Sequence, residues 1–170
     1  MSQPIKVALA GAGAFGIKHI EGIRNIEGVE VVSLIGRELE KTKDIAQKYG
    51  IGHVTTDLNE SLAIKEVDAV ILCTPTQMHA AQTKACLLAG KHVEVEIPMC
   101  DVFKEGQELV ELQKKTGLVA MCGHTRRFNP SHQWVNKRLR SGELHIQQMD
   151  VQTYFFRRTN MNAAGQPRSW

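Results

Sequence analysis

Short apolar runs alternate with longer amphipathic stretches over the first 123 residues, and turn residues separate them. The apolar runs predict strands, and the stretches with apolar residues three and four positions apart predict helices. The run at residues 67–73 is apolar on both faces, which is typical of a parallel sheet covered by helices on both sides. The pattern therefore predicts an α/β fold, a doubly wound parallel sheet. The predicted strands are 5–10, 30–35, 67–73, 92–97 and 118–123, and the predicted helices are 15–25, 39–49, 77–89 and 102–116, with Thr76 and Asp101 as N-caps of the last two.

The pattern changes after Gly123. Residues 131–140 predict an amphipathic helix, and residues 146–157 predict a long strand that has no partner strand in the sequence. Because such a strand cannot stand alone in water, we expect residues 124–170 to be the start, one helix and one strand, of an incomplete α+β second domain. Residues 1–123 are the predicted first domain. We expect the 170-residue chain alone to show no turnover.

Composition limits the class of protein. The chain is 42% hydrophobic and 23% charged, has no apolar run long enough to span a membrane, and does not begin like a signal peptide. We therefore expect a cytoplasmic globular protein with no membrane partner. Its four cysteines show no metal-ligand spacing, so we expect reduced thiols and no bound metal. A cysteine that forms a thiohemiacetal with an aldehyde is the alternative.

Positive charge is concentrated near the C-terminus. Residues 124–170 hold eight Lys and Arg against two Asp and Glu, whereas residues 1–123 hold 13 against 16. Such asymmetry indicates an anionic ligand, nucleic acid or a solvated helix face. Nucleic acid is excluded because the arginines do not alternate with base-stacking residues in any known module. Lys137, Arg138 and Arg140 are expected on a solvated helix face. The arginines at predicted strand ends are candidates for binding an anionic substrate: Arg126, Arg127, Arg157 and Arg158.

A G-x-G-x-x-G motif begins at Gly11, between the first strand and the first helix. This context predicts dinucleotide binding, and a purely structural turn is the alternative. Gly11 would permit the turn, Gly13 would admit the pyrophosphate, and Gly16 would let the helix pack closely. The amides around Ala14 and Phe15 would face the phosphates at the helix N-terminus.

The end of the second strand bears on cofactor choice. NAD-specific sites place an acidic residue there to bind the ribose hydroxyls. Instead, the sequence offers space at Gly36 and a guanidinium at Arg37, with Ser33 and Lys41 as helpers, which favours the 2′-phosphate of NADP. The alternative is a surface arginine, with Glu38 binding the ribose.

Two later strands also end in polar residues. Cys73, Thr74, Pro75 and Thr76 follow the third predicted strand, where ligands of open α/β sheets bind, and we expect them to contact the cofactor. His79, one turn further, is either a cofactor contact or a structural hydrogen-bonding residue.

The fourth predicted strand, 92–97, and the proline after it form the stretch His-Val-Glu-Val-Glu-Ile-Pro at residues 92–98. Glu96, Ile97 and Pro98 end this strand, and we expect them near the nicotinamide or its ribose. Glu94 is expected to be paired or solvated. Pro98 keeps Ile97 extended and allows a cis bond between them.

The order of these motifs, followed by Gly-His-Thr-Arg-Arg-Phe-Asn-Pro at residues 123–130, resembles the glucose–fructose oxidoreductase / inositol dehydrogenase (Gfo/Idh/MocA) family over the whole chain. The resemblance implies an NADP-binding Rossmann domain, a second domain for substrate binding and oligomerisation, and a homo-oligomeric full-length protein. In the family a lysine precedes the proline and moves the substrate proton. Ile97 occupies that position, so His124 becomes the candidate base, with a positioning role as the alternative.

The resemblance is strongest to members that oxidise a dicarboxylate semialdehyde, as its cyclic hemiacetal, to a lactone with NADP. It implies a small anionic dicarboxylate substrate and gives roles to residues near the C-terminus. Substrate-binding candidates are Arg126, Arg127, Arg158 and Asn160, and Arg168 and Trp170 are candidates for contacting the nicotinamide end of the cofactor. A non-catalytic NAD(P)-binding sensor of the same fold is the alternative function.

Overall fold

A computed structural model describes residues 3–152. Six parallel strands form one sheet in the order β3-β2-β1-β4-β5-β6. The strands are β1 (Ile5–Ala10), β2 (Val29–Ile35), β3 (His53–Thr55), β4 (Ala69–Leu72), β5 (His92–Val95) and β6 (Ala120–Cys122). The helices are α1 (Ala14–Ile23), α2 (Leu39–Tyr49), α3 (Leu58–Leu62), α4 (Thr76–Leu88), α5 (Phe103–Thr116) and α6 (Pro130–Arg140), and Thr125–Phe128 is a 3₁₀ turn. The predicted doubly wound α/β fold is confirmed.

The strand order reverses beside β1, which pairs with β2 on one side and with β4 on the other. Ala10 at its end is in register with Ile35 and Leu72, so three strands end together. In sheets of this kind, a ligand binds at the carboxyl ends of the strands where the order reverses.

Apolar side chains fill both faces of the sheet. Leu72 and Leu87 lie in the core on one face, and Leu9, Ile20 and Leu34 lie in the core on the other. All five are at most 1% exposed, and each stabilises the fold by roughly 1.5–3 kcal/mol relative to an exposed position. This packing on both faces fixes the positions of the strands and of their carboxyl ends.

The prediction missed one β–α unit, formed by β3 and α3. Its strand has three residues and its helix has five, too short for a clear period. Polar contacts stabilise it: the Asp57 carboxylate accepts a hydrogen bond from the Asn59 amide (2.9 Å), and Thr55 donates a short one to Glu60.

Both predicted N-caps are wrong. Thr76 is the first residue of α4, and its N-cap is Pro75, which has no side-chain donor or acceptor. The helix α5 begins at Phe103, and its N-cap is Val102 rather than Asp101. Burial of their apolar faces, rather than capping, stabilises these two helices.

A second compact unit begins at Arg126, close to the predicted boundary at 123/124. In it, α6 begins beside Asn129, whose side-chain oxygen accepts from the Ser131 amide (3.0 Å). Arg138 stacks on Trp134 and pairs with Glu143 (3.0 Å) on the exposed face of this helix.

The long strand predicted at residues 146–157 is not formed in residues 146–152, which have no regular structure. Its remaining residues lie outside the described part of the chain, as do the predicted site residues Arg157, Arg158, Asn160, Arg168 and Trp170. Within residues 3–152, no helix is long and apolar enough to cross a membrane.

Candidate nucleotide-binding site

A cavity of about 680 Å³ opens at the carboxyl ends of β1, β2 and β4. Seven residues predicted to bind the cofactor line it: Gly11, Gly13, Gly36, Arg37, Cys73, Thr74 and Pro75. The cavity is thus at the position that the strand order favours for a ligand.

The glycine loop after β1 has three different steric requirements. Gly11 has a φ of +114°, and a Cβ atom there would collide with the Cys73 carbonyl. A Cβ atom at Gly16 would collide with the carbonyl of Gly11, so this glycine lets α1 pack on the loop. A Cβ atom at Gly13 would meet no protein atom within 4 Å. The free space beside Gly13 fits the close approach of a pyrophosphate to the backbone.

The helix α1 begins at Ala14, directly behind Gly13. Its first-turn amides have no intrahelical partners, and the helix dipole adds positive potential at this end. No acidic side chain lies in that turn. The ring of Phe15 is 61% exposed and contacts Lys18, whose Nζ is 5.3 Å from the ring centroid. The amides of Ala14 and Phe15 can therefore bind an anion, whereas the Phe15 side chain does not line the cavity.

Three charged residues lie at the β2 end of the cavity. Lys41 Nζ is 2.7 Å from Glu38 Oε2, and Arg37 Nη2 is 4.0 Å from Glu38 Oε1. The hydrogen bond from Lys41 lowers the pKa of Glu38. The Arg37 side chain is 94% exposed and thus open to an incoming phosphate. Glu38 is already paired, which weakens it as a ribose acceptor.

Two predictions at this end need correction. Ser33 is fully buried, and its hydroxyl contacts His53 Nδ1 (2.9 Å) and Ser61 Oγ (2.8 Å), so it does not face the cavity. Gly36 lines the cavity, but the space beside its Cα is filled by Thr42, whose side chain would clash with any Cβ at 36. The glycine is therefore needed for packing against α2, not for making room for a phosphate.

His79 and Thr76 do not line the cavity. The ring of His79 is 1% exposed and lies between two loops, with Nδ1 2.7 Å from the Pro98 carbonyl and Nε2 2.8 Å from the Thr74 carbonyl. Of the two roles considered for His79, the structure favours hydrogen bonding. Thr74 Oγ1 donates to Gln82 Oε1 (2.5 Å), which fixes the cavity wall.

Titratable side chains gather at the ends of β4 and β5. His19 Nε2 is 2.8 Å from Glu96 Oε1, and the Cys73 thiol lies beside them. Glu94 is half-buried, and its Oε2 has no partner among the described residues, while Oε1 is not among the buried atoms that lack a partner. Burial, and then Glu96, raise the pKa of Glu94. Burial and the two carboxylates raise the pKa of Cys73 to about 12, which makes a thiolate nucleophile there unfavourable.

The loop after β5 exposes an apolar side chain. Ile97 is 49% exposed, and its peptide bond to Pro98 is cis. Glu96, Ile97 and Pro98 lie outside the lining of the cavity. His124 is exposed directly after β6, where its amide donates to the Cys122 carbonyl (2.7 Å), and it does not line the cavity either. Arg126 and Arg127 belong to the second unit.

Several cavity residues were not predicted. Thr56, Asp57 and Leu58 come from the turn between β3 and α3, the unit that the sequence analysis missed. The spacing of Asp57 and Glu60, which is typical of a helix start, was the available signal. Others come from α4, where Met78 and Gln82 face the cavity one turn apart.

Comparisons with known proteins agree with this geometry. The family described as "Oxidoreductase family, NAD-binding Rossmann fold" matches residues 5–124, and "Bacterial oxidoreductases, C-terminal" matches residues 130–170. The 4-carboxy-2-hydroxymuconate-6-semialdehyde dehydrogenase of Sphingobium sp. strain SYK-6 is 61% identical over 98% of this chain and 53% of its own length.

Solved structures show the same fold. Scyllo-inositol dehydrogenase from Lactobacillus casei, with bound NAD(H) and scyllo-inositol, matches 83% of this chain and 42% of its own at 22% identity and a TM-score of 0.78. Biliverdin reductase from Synechocystis, in complex with biliverdin and NADP⁺, matches 81% and 43% at 26% identity and a TM-score of 0.72. The chain spans about half the length of these relatives. Its fold, its glycine loop and these matches show that the chain belongs to the Gfo/Idh/MocA family of oxidoreductases with an NAD(P)-binding Rossmann fold.

Proposed function

We propose that this chain is the cofactor-binding half of an NADP-dependent dehydrogenase. Its substrate would be 4-carboxy-2-hydroxymuconate-6-semialdehyde in the hemiacetal form, and its product 2-pyrone-4,6-dicarboxylate. The observation that carries the proposal is the 61% identity to a dehydrogenase with that substrate in its name, over nearly the whole chain.

NADP, rather than NAD, is supported by the charges at the β2 end. Arg37 is exposed at the cavity, and Lys41 lies within reach of the same region while neutralising Glu38. A guanidinium and an ammonium favour a 2′-phosphate, which only NADP carries there. When bound, the cofactor supplies the hydride acceptor. The chain supplies the glycine loop and the first-turn amides of α1 for its pyrophosphate.

Oxidation of a hemiacetal to a lactone releases the carbinol hydrogen as hydride and the hydroxyl hydrogen as a proton, so a base is required. Ile97 cannot accept a proton. We propose His124 for this role, because it is exposed directly after β6 and near the end of the first unit. Arg126, Arg127, Arg158 and Asn160 are proposed to bind the two substrate carboxylates, since guanidinium and amide groups bind carboxylates directly.

A non-catalytic sensor remains the second candidate, and the apolar Ile97 at the end of β5 favours it. Activity separates the two functions. We would join residues 1–170 to the remaining half of the Sphingobium relative, add the semialdehyde and NADP, and follow NADPH formation. Steady turnover, reduced strongly by His124→Ala, supports the enzyme. Tight NADP binding with no turnover, while the intact Sphingobium enzyme is active in the same assay, contradicts it.

A further inference from the structure

A mixed cluster of side chains lies where α1, β4 and β5 meet. The donor atoms of His19, Cys73 and Glu96 all lie within 4.8 Å of one another. His19 belongs to α1, Cys73 directly follows β4, and Glu96 directly follows β5, so that His19 and Glu96 are 77 positions apart in the sequence. No ligand spacing of the kind used to search sequences for metal sites could therefore have revealed this cluster.

We propose that His19, Cys73 and Glu96 form a binding site for one divalent metal ion of the Zn²⁺ type. Imidazole, thiolate and carboxylate are the three side-chain ligands that Zn²⁺ takes in proteins, and three protein ligands with one open position are typical of its accessible sites. This site lies beyond the proposed function and does not depend on it.

The distances suit such an ion after small side-chain rotations. Ligand atoms around a tetrahedral Zn²⁺ lie roughly 3.3–3.8 Å apart, given metal–ligand bonds of about 2.0–2.3 Å. His19 Nε2 and Glu96 Oε1 are now 2.8 Å apart, in direct contact, so they would separate slightly while the sulfur moves closer. The side chains of His19 and Glu96 are 26% and 16% exposed, which leaves a path for the ion.

Local charge also favours a cation. Glu94 and Glu96 both face this region, and the ion pair recorded for Glu96 is with His19. The Oε2 atom of Glu94 is buried and has no hydrogen-bond partner among the described residues. Two carboxylates with so little fixed positive charge are costly in a half-buried place. A divalent ion would offset that cost.

Binding would form bonds from the metal to the imidazole nitrogen, the sulfur and one carboxylate oxygen. The thiol proton would be released to solvent, because only the thiolate is a good ligand. Cys73 also lines the cavity. The ion should therefore weaken dinucleotide binding, and this one consequence rests on the proposed cofactor function.

The test uses the whole 170-residue chain, Co²⁺ as a spectroscopic probe, and Zn²⁺ in competition with a chromogenic chelator. We expect one Zn²⁺ per chain and a thiolate-to-Co²⁺ charge-transfer band. Cys73→Ser should abolish that band, and Glu96→Gln and His19→Gln should each lower Zn²⁺ affinity by at least about tenfold. Cys100→Ser is the matched control, since Cys100 is also partly buried but lies outside the cluster.

A band that persists in Cys73→Ser, or a Zn²⁺ affinity that changes less than twofold in both Glu96→Gln and His19→Gln, overturns the site. Circular dichroism of each variant checks that it is folded. If Cys73→Ser is unfolded, the Zn²⁺ affinities of Glu96→Gln and His19→Gln alone decide whether the site exists. Unchanged NADP affinity in the presence of Zn²⁺ overturns only the predicted competition. The two proposals can fail separately. If the unmodified chain binds Zn²⁺ but not NADP, and the variants lose Zn²⁺ binding, the metal site stands and the proposed cofactor function fails.

Discussion

His79 lies beneath the cavity with its Nδ1 2.7 Å from the carbonyl oxygen of Pro98. Its other ring nitrogen is 2.8 Å from the Thr74 carbonyl, so one buried side chain connects the loop after β4 to the loop after β5. The two loops that adjoin the ends of neighbouring strands are thus held together by a single residue.

Replacing this ring tests its structural role. His79→Phe keeps the apolar volume but leaves both carbonyls without a donor, each at a cost of about 1–3 kcal/mol. We expect the free energy of unfolding to fall by about 2–4 kcal/mol, measured by urea denaturation. His132→Phe on the exposed face of α6 is the control and should change it by less than about 0.5 kcal/mol. Equal effects at the two positions would show that the contacts of His79 do not stabilise the fold.

Gly13→Ala should separate binding from stability. A Cβ atom at this position meets no protein atom within 4 Å, and its φ of −87° suits alanine. The fold should keep its stability, while NADP affinity should fall at least about tenfold, because the methyl group occupies the space that the pyrophosphate needs. Thermal melting and NADPH fluorescence titration measure the two effects. Gly22→Ala, at an open position in the last turn of α1, is the matched control and should add up to about 0.5–1 kcal/mol of stability without affecting the cofactor.

Charge at the β2 end should determine cofactor preference. Arg37→Ala and Lys41→Ala are each expected to weaken NADP about 10–100-fold, the loss of one charge-assisted phosphate contact, and to leave NAD nearly unchanged. The variant Glu38→Gln tests the alternative that Glu38 binds the ribose and Arg37 is only a surface residue. If Glu38 binds the ribose, this variant loses NAD affinity and Arg37→Ala leaves NADP intact. Dissociation constants for both cofactors in all three variants give the answer.

Glu94 should make stability depend on pH. Because its pKa is raised in the folded state, the folded chain holds this proton above 4.5, where the unfolded chain releases it. The contribution is therefore fully present below about pH 4.5 and is lost as pH rises through the folded pKa.

In the variant Glu94→Gln, the side chain at position 94 is uncharged at every pH, so the variant does not lose this stability as pH rises. Its free energy of unfolding, measured against that of the unmodified chain, should be relatively greater at about pH 8 than at about pH 4.5. Glu105→Gln, at an exposed position in the first turn of α5, controls for general effects of charge. A stability difference that stays constant over this range would mean that Glu94 is not desolvated in solution.

Periodic apolar patterns predicted most of the fold, because long buried strands and helices repeat their contacts regularly. The helix Leu39–Tyr49 was predicted to the residue, and the glycine at its end has a φ of +73° as its position requires. The unit of β3 and α3 was missed because short elements held by polar contacts carry no period. The caps at Thr76 and Asp101 failed because tertiary packing can set where a helix begins.

For the candidate site too, the sequence predicted some residues and missed others. Residues adjacent in a motif, such as Gly11 and Gly13, were found because their spacing itself encodes the turn. Ser33 was misplaced because which face of a strand is buried depends on neighbours distant in sequence. The cluster of His19, Cys73 and Glu96 could not have been predicted, since only the parallel pairing of β4 with β5 brings Cys73 near Glu96.

The strand order has a consequence for how such a protein can change. The β2 end, with Arg37, and the β5 end, with Glu96, have β1 and β4 between them, so three strand spacings of about 4.8 Å separate them. Substitutions at sites more than about 7–10 Å apart without shared partners usually add in free energy. The side chains at these two ends can therefore be altered independently, by mutation in nature or in the laboratory, and the free-energy effects of substitutions at Arg37 and Glu96 should add.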